Sequence, residues 1–274
     1  MTALRRLKQN LALWLRVLAR PARIPPGRRA TLWPIRGWIT VAALAAILLV
    51  VAVSMLLLDA FLIGQARKLP PWLRIAFEWI TLFGSSAWFL WPSAILLLVI
   101  AASSWSKLSR VPRGILGAIV VRIGFVFLAV GGPMLFVNVI KGLIGRARPY
   151  VSETTDPYSY VPFIWEASYA SLPSGHAANS FAAAVAIGAL WPRMRLPMWA
   201  YAVIIATSRV VVNMHFPSDV IVGAIVGLVG ALLVRGWFAA RRLGFIVGTD
   251  GAVHRLPGPS WRRAKVVAGK LLAP

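Results

Sequence analysis

The sequence contains no cysteine, only seven acidic residues against 30 lysines and arginines, and three histidines in 274 residues. Each scarcity removes a class of chemistry. Without cysteine there is no disulfide framework and no phosphatase that works through a thiolate. The acids are Asp59, Glu78, Glu153, Asp156, Glu166, Asp219 and Asp250, and no two lie close enough in sequence to suggest a two-metal carboxylate site. A Gly-rich phosphate loop of the P-loop type is also missing. Carboxylates and histidines are nearly absent from the apolar runs, which argues against proton-coupled transport.

What the chain has in abundance is apolar sequence, 59% of its residues. Several runs approach the roughly 20 residues needed to cross a ~30 Å hydrocarbon core. Six spans are predicted, at Trp38–Ile63, Ile80–Trp105, Ile115–Ile140, Ala177–Trp191, Met198–Met214 and Val220–Ala240. Trp33, Trp38, Trp72, Trp79, Trp105, Trp191, Trp199 and Trp237 fall near the span ends, as an aromatic belt requires. A net charge of +23 would ordinarily suggest nucleic acid as a partner. Here the cations sit between apolar runs, so membrane topology accounts for them and no nucleic-acid partner is expected.

The cations also set an orientation. Of the 30, 22 fall in the N-terminal arm, the loop after span two, the turn after span four and the stretch from Arg235 onward. Seven fall on the opposite side (Arg67, Lys68, Arg74, Lys141, Arg146, Arg148 and Arg209), and Arg122 lies inside span three. The positive-inside rule then places both termini in the cytoplasm. Residues 1–37 form a basic N-terminal segment, 38–240 the six-span domain and 241–274 a basic C-terminal tail. In the first segment Leu4, Leu7, Leu11, Trp14, Leu15 and Leu18 recur at helical spacing until Pro21, Pro25 and Pro26. That pattern suits a helix lying on an anionic leaflet, although a solvated basic arm fits as well. The long basic stretch before the first run marks that run as a retained span rather than a cleaved signal.

Polar chemistry gathers in three places. Lys141 and Arg148 are seven apart, one face of a continuing helix, and two such cations can hold a phosphate. Taken alone they read more readily as interfacial anchors. Pro173-Ser174-Gly175-His176 leads directly into an apolar run. Ser174 is a natural N-cap, and a helix start with a glycine is also an anion site beside which His176 can donate a proton. Ser208-Arg209 precedes His215 and Asp219, which are four apart. On a helical turn that spacing lets the carboxylate hold one imidazole nitrogen and leave the other as a nucleophile. A structural His–Asp pair at a helix cap is the alternative. Charge-derived topology places all three clusters at one membrane face.

Together, Lys141–Pro149, Pro173–His176 and Ser208–Asp219 resemble the three-part signature of the type 2 phosphatidic acid phosphatases, within the superfamily that includes bacterial acid phosphatases and vanadium haloperoxidases. The resemblance implies an all-α polytopic membrane bundle and a lipid phosphatase that uses neither metal nor cofactor. It assigns His215 as nucleophile, Asp219 as its orienting carboxylate and His176 as general acid and base. Lys141, Arg148, Ser174, Gly175 and Arg209 are implied phosphate-binding groups. Arg146 has no place in the signature, and contact with a lipid headgroup is its expected role. The expected setting is a bacterial inner membrane, with anionic lipid at its cytoplasmic face and the site facing the periplasm. Phosphatidic acid, phosphatidylglycerol phosphate, polyprenyl diphosphate and lipid A phosphates are all candidate substrates. A lipid-to-lipid phosphotransferase is the rival enzyme, and a non-catalytic lipid-phosphate binder or flippase the rival from another class. The aromatic loop from Tyr150 to Leu172 either covers the site or dips into the interface.

Overall fold

A computed structural model describes residues 2–23, 37–105, 108–151 and 156–272. Pro25, Pro26, Trp33, Lys107 and Glu153, with residues 24–36 of the N-terminal segment, lie outside the described residues. The described chain is mainly helical, with one short hairpin and a non-helical connection between Ile144 and Gly175. In order it forms α1 (Ala3–Leu18), α2 (Trp38–Val53), a π-turn at Ser54–Leu58, α3 (Asp59–Arg67), α4 (Pro71–Leu82), α5 (Ala87–Ala102) and α6 (Arg110–Ile144). Then come α7 (Gly175–Leu190), α8 (Arg195–Val211), α9 (Pro217–Ala240), the antiparallel pair β1 (Phe245–Val247) and β2 (Val253–Arg255), and α10 (Trp261–Leu272).

Among the described residues, four stretches are long and apolar enough to cross a bilayer: Trp38–Arg67, Pro71–Ala102, Arg110–Ile144 and Pro217–Ala240. Gly175–Leu190 is apolar but shorter. Large side chains such as Trp38, Leu48, Leu49 and Leu57 stand exposed on the first of them, and α2 has no buried residue. An apolar helix that finds no protein partner requires lipid around it. The protein is therefore integral to a membrane.

Several boundaries differ from those expected. The second predicted span, Ile80–Trp105, is interrupted by a turn between α4 and α5. Gly84 sits in that turn because a Cβ there would come within 2.5 Å of Ile205 and 2.7 Å of the His176 ring. The helix carrying Lys141 stops at Ile144, before Arg148, because Gly145 takes φ +63°, the left-handed conformation that ends helices. The basic tail holds the hairpin and α10.

The chain divides into two compact units. One comprises residues 1–33, 89–128 and 233–274. Within it Phe125 meets Phe238 and Phe245 edge-on, and Val267 of α10 packs with Leu108 and Leu116. Arg122 donates to the carbonyls of Leu256 and Pro257, each at 3.0 Å, so a cation inside an apolar run is spent on tying down the segment after the hairpin. Asn10 of α1 reaches the Ala101 carbonyl at 2.8 Å, and Trp14 lies on Trp105.

The other unit comprises residues 34–88 and 129–232 and holds every predicted site residue. Its centre is α7, whose Ala177, Ala178, Ala182, Ala183, Ala184 and Ala186 are all buried. Small side chains let neighbouring helices come close. Gly223 and Gly227 of α9 use this: a Cβ on either would lie 2.3 Å from the Ser174 carbonyl oxygen or 2.1 Å from that of Ala178. Gly230 likewise receives the ring of Pro133 from α6. These approaches place the start of α7 beside the start of α9.

Candidate active site

The three sequence clusters meet in that second unit. The Ser174 N–H donates to the Asp219 carbonyl at 2.9 Å, linking the second cluster to the third. A Cβ on Gly175 would stand 3.6 Å from the Lys141 Nζ, which links the second to the first. Arg209 lies in the last turn of α8, and its carbonyl accepts the Met214 and His215 N–H groups, so the turn carrying His215 folds back on it. Arg148 Nη1 lies 3.5 Å from the sulfur of Met214. All eight predicted residues therefore belong to one assembly.

Ser174 departs from the plain capping role. It occupies the N-cap of α7 but makes no side-chain capping bond, and its Oγ is buried without a protein partner. Arg148 Nε and Arg209 Nε are in the same condition. An unpaired buried polar group costs about 1–3 kcal/mol. Three of them, two on guanidinium groups near a helix start, have the charge and donors that suit an oxyanion. Arg209 Nη1 is anchored at 2.6 Å on Thr81 Oγ1 of α4, which holds the fork in place.

His215 is essentially buried and lies in the turn before α9, not on a helix as its spacing to Asp219 had suggested. Its Nδ1 stands 3.8 Å from Asp219 Oδ2, an ion-pair distance and beyond a hydrogen bond. Burial first, and then the positive fields of Lys141, Arg148 and Arg209, hold its pKa well below the ordinary histidine value. The imidazole is consequently neutral at neutral pH, with a lone pair available. His176, the second residue of α7, is half-buried, and its ring rests against Gly84.

Two residues matter more than the sequence reading allowed. Arg146 has no exposed surface and touches no lipid headgroup. Its Nη1 donates to Asp219 Oδ1 at 2.6 Å and Ser218 Oγ at 2.8 Å, and its Nη2 to Asp59 Oδ2 at 2.8 Å. The Phe216 ring lies 4.4 Å from the guanidinium carbon. Asp59 lies outside all three sequence clusters. It follows the π-turn of the first spanning helix and is fully buried. Its position held a usable signal, since an ionisable residue inside an apolar run needs a partner there. Asp219 completes the set: Oδ2 accepts from Ser171 Oγ at 2.5 Å and from the Phe216 N–H at 2.9 Å.

A cationic oxyanion cradle around a neutral, carboxylate-backed histidine, carried on membrane-crossing helices, defines a membrane phosphatase. A model described as the PAP2 superfamily matches residues 122–243. The lipid A 1-phosphatase of Rhizobium johnstonii is 37% identical over 203 residues, 73% of this chain and 82% of that protein. The lipid A 1-phosphatase of Rhizobium etli is 34% identical over 217 residues, 78% of this chain and 88% of that protein. The crystal structure of Aquifex aeolicus LpxE superimposes with a TM-score of 0.45 at 21% identity, covering 65% of this chain and 94% of that one. The chain belongs to the PAP2 superfamily, and it is an enzyme of the phosphatase class.

Proposed function

We propose that this protein removes the 1-phosphate of lipid A at the outer face of a bacterial inner membrane, through a phosphohistidine on His215. The observation that carries the reading is the group of unpartnered buried atoms, Ser174 Oγ, Arg148 Nε and Arg209 Nε, assembled around the turn that holds His215. The choice of lipid A among lipid phosphates follows the two Rhizobium relatives, each sharing more than four-fifths of its length with this chain.

The neutral His215 imidazole attacks phosphorus through Nε2, since Nδ1 is the nitrogen that faces Asp219. The bond from phosphorus to the sugar oxygen breaks, and His176, protonated once the bound phosphate offsets the cations around it, supplies a proton to that leaving oxygen. Asp219 then balances the positive charge that forms on the phosphorylated ring. Lys141, Arg148, Arg209, Ser174 and the Gly175 N–H hold the three remaining oxygens as charge shifts among them. His176, now neutral, takes a proton from water, and the resulting hydroxide attacks phosphorus and releases His215 and inorganic phosphate. Positioning and charge stabilisation supply the rate, with about 7–11 kcal/mol available from orientation in favourable cases.

In this reading the chain crosses the bilayer six times, with α7 and α8 adding two shorter crossings to the four long ones. Both termini lie in the cytoplasm, where α1 and α10 meet anionic lipid. Residues 38–240 form the catalytic domain between the two basic segments. The test is phosphate release by detergent-purified protein from lipid A 1-phosphate, lipid A 4′-phosphate, phosphatidic acid, phosphatidylglycerol phosphate and polyprenyl diphosphate, with chelator present and His215→Ala alongside. The 1-phosphate is expected to turn over fastest, and His215→Ala to be inert while still folded. Faster release from a glycerophospholipid would overturn the lipid A assignment, and activity in His215→Ala would overturn the nucleophile.

A further inference from the structure

We propose that Asp59, on the first membrane-spanning helix, is a positioning residue for phosphoryl transfer, acting through Arg146 and Ser218 on Asp219 and so on His215. The inference rests on the role of His215 proposed above. It concerns a residue outside the three signature clusters, 82 positions before the first of them begins.

The contacts define how it acts. Asp59 Oδ1 accepts the Ser218 N–H at 2.9 Å and Oδ2 accepts Ser218 Oγ at 2.5 Å. Ser218 is the second residue of α9, and its N–H is one of the donors that a helix cannot satisfy internally. Asp59 therefore caps α9 from a different helix and supplies a negative charge to its N-terminal dipole. Asp219 is the next residue, so the cap holds its backbone, and with it the Ser174 N–H that it accepts. Asp59 Oδ2 also takes Arg146 Nη2, while Asp219 takes Nη1. The guanidinium is shared between two carboxylates, and all three side chains have no exposed surface.

If Asp59 loses its charge, Arg146 stays buried with Asp219 as its sole charged partner. Both consequences converge on one group. Asp219 is drawn toward Arg146 and away from the ring it already meets only at 3.8 Å, and the first turn of α9 loses its cap. Lys141, Arg148 and Arg209 make no contact with Asp59, so binding of the phosphate group is left intact. The Ser54 hydroxyl, at the head of the π-turn, donates to Asp59 Oδ1 at 3.4 Å and helps set its orientation.

The test is a double-mutant cycle on full-length protein, using a chromogenic phosphomonoester as well as the lipid. Asp59→Asn is expected to lower kcat at least tenfold, with KM and the inhibition constant for inorganic phosphate within twofold of wild type. In an Asp219→Asn background the same change should cost less than twofold more. Additive losses in the cycle, or a phosphate inhibition constant that weakens in step with kcat, would overturn the proposal, because either marks general damage to the fold. If Asp59→Asn does not fold, Ser218→Ala decides. It removes the Ser218 Oγ contacts with Asp59 and Arg146 while both ion pairs of Arg146 stay in place, and should show the same kcat-only loss and the same coupling to Asp219. Because the cycle can run on the chromogenic substrate, failure of the lipid A assignment leaves it unaffected. An inert His215→Ala with an additive Asp59 cycle would refute this inference alone.

Discussion

At His215 two opposing influences meet, and their balance sets the pH at which the enzyme works. Burial and three cations press the imidazole toward its neutral form, while in the proposed mechanism Asp219 supports the charge that forms during turnover. A depressed histidine pKa means that the nucleophile is lost only as pH falls through that low folded value, well under the usual ~6.5. The acid limb of kcat/KM should therefore lie below that of a free imidazole. Lys141→Gln removes one of the repelling cations, so the limb should move up toward 6.5 even as phosphate binding weakens; a pH–rate series on both proteins checks the sign. Stability follows the same linkage. The native contribution is full above ~6.5; below it the unfolded chain takes up a proton that the buried ring does not, so thermal unfolding temperature should decline from ~6.5 down to the low folded value. Turnover is also expected to be unchanged by chelators, measured as phosphate release before and after EDTA treatment. That these residues lie together was largely legible in sequence, because they fall in three short motifs with fixed spacing. Arg146 and Asp59 were not, because their partners lie 72 to 159 residues away along the chain. The rule that a charge inside an apolar span must be paired is the one sequence signal that could have marked Asp59.

Among the secondary-structure elements, the closest approaches lie between α9 and α7. The expected boundaries of both helices were close to those observed, since long apolar runs are the strongest signal a membrane sequence offers. Their register against each other was invisible, because it depends on glycines whose significance appears only when a second backbone is beside them. Gly223→Ala introduces a Cβ within 2.3 Å of the Ser174 carbonyl, a backbone atom that cannot swing aside. The helices must separate, and kcat is expected to fall at least tenfold. Gly64→Ala on α3, where nothing lies within 4 Å, is the matched control and should retain full activity. Helix propensity alone would favour both substitutions by about 1 kcal/mol, so a loss confined to Gly223 isolates the close contact. Gly145 teaches the same lesson at a helix end. A continuous helix from Lys141 to Arg148 was the simplest reading of their spacing, yet a positive φ at Gly145 turns the chain so that the Arg148 N–H meets the Ser168 carbonyl at 2.8 Å.

For the whole molecule, the asymmetry of charge makes a prediction that the lack of cysteine renders simple to examine. Single cysteines placed at Thr2 and at Gly251 should react with a membrane-impermeant maleimide only after the cell membrane is opened. One placed at Glu166, in the loop before α7, should react in intact cells exposing their periplasm. Labelling of all three from the same side would refute the orientation.

The π-turn at Ser54–Leu58 separates two jobs that one helix performs. Before it, α2 buries nothing in the protein. After it, Asp59, Ile63 and Ala66 turn inward at helical spacing. The turn acts as a phase coupling between a float and a clamp. Residues can be added to or removed from the lipid-facing half to suit a thicker or thinner bilayer, and the clamp on α9 keeps its timing. One residue gained or lost within the turn itself would instead rotate the carboxylate by about 100°, away from Arg146 and into the hydrocarbon.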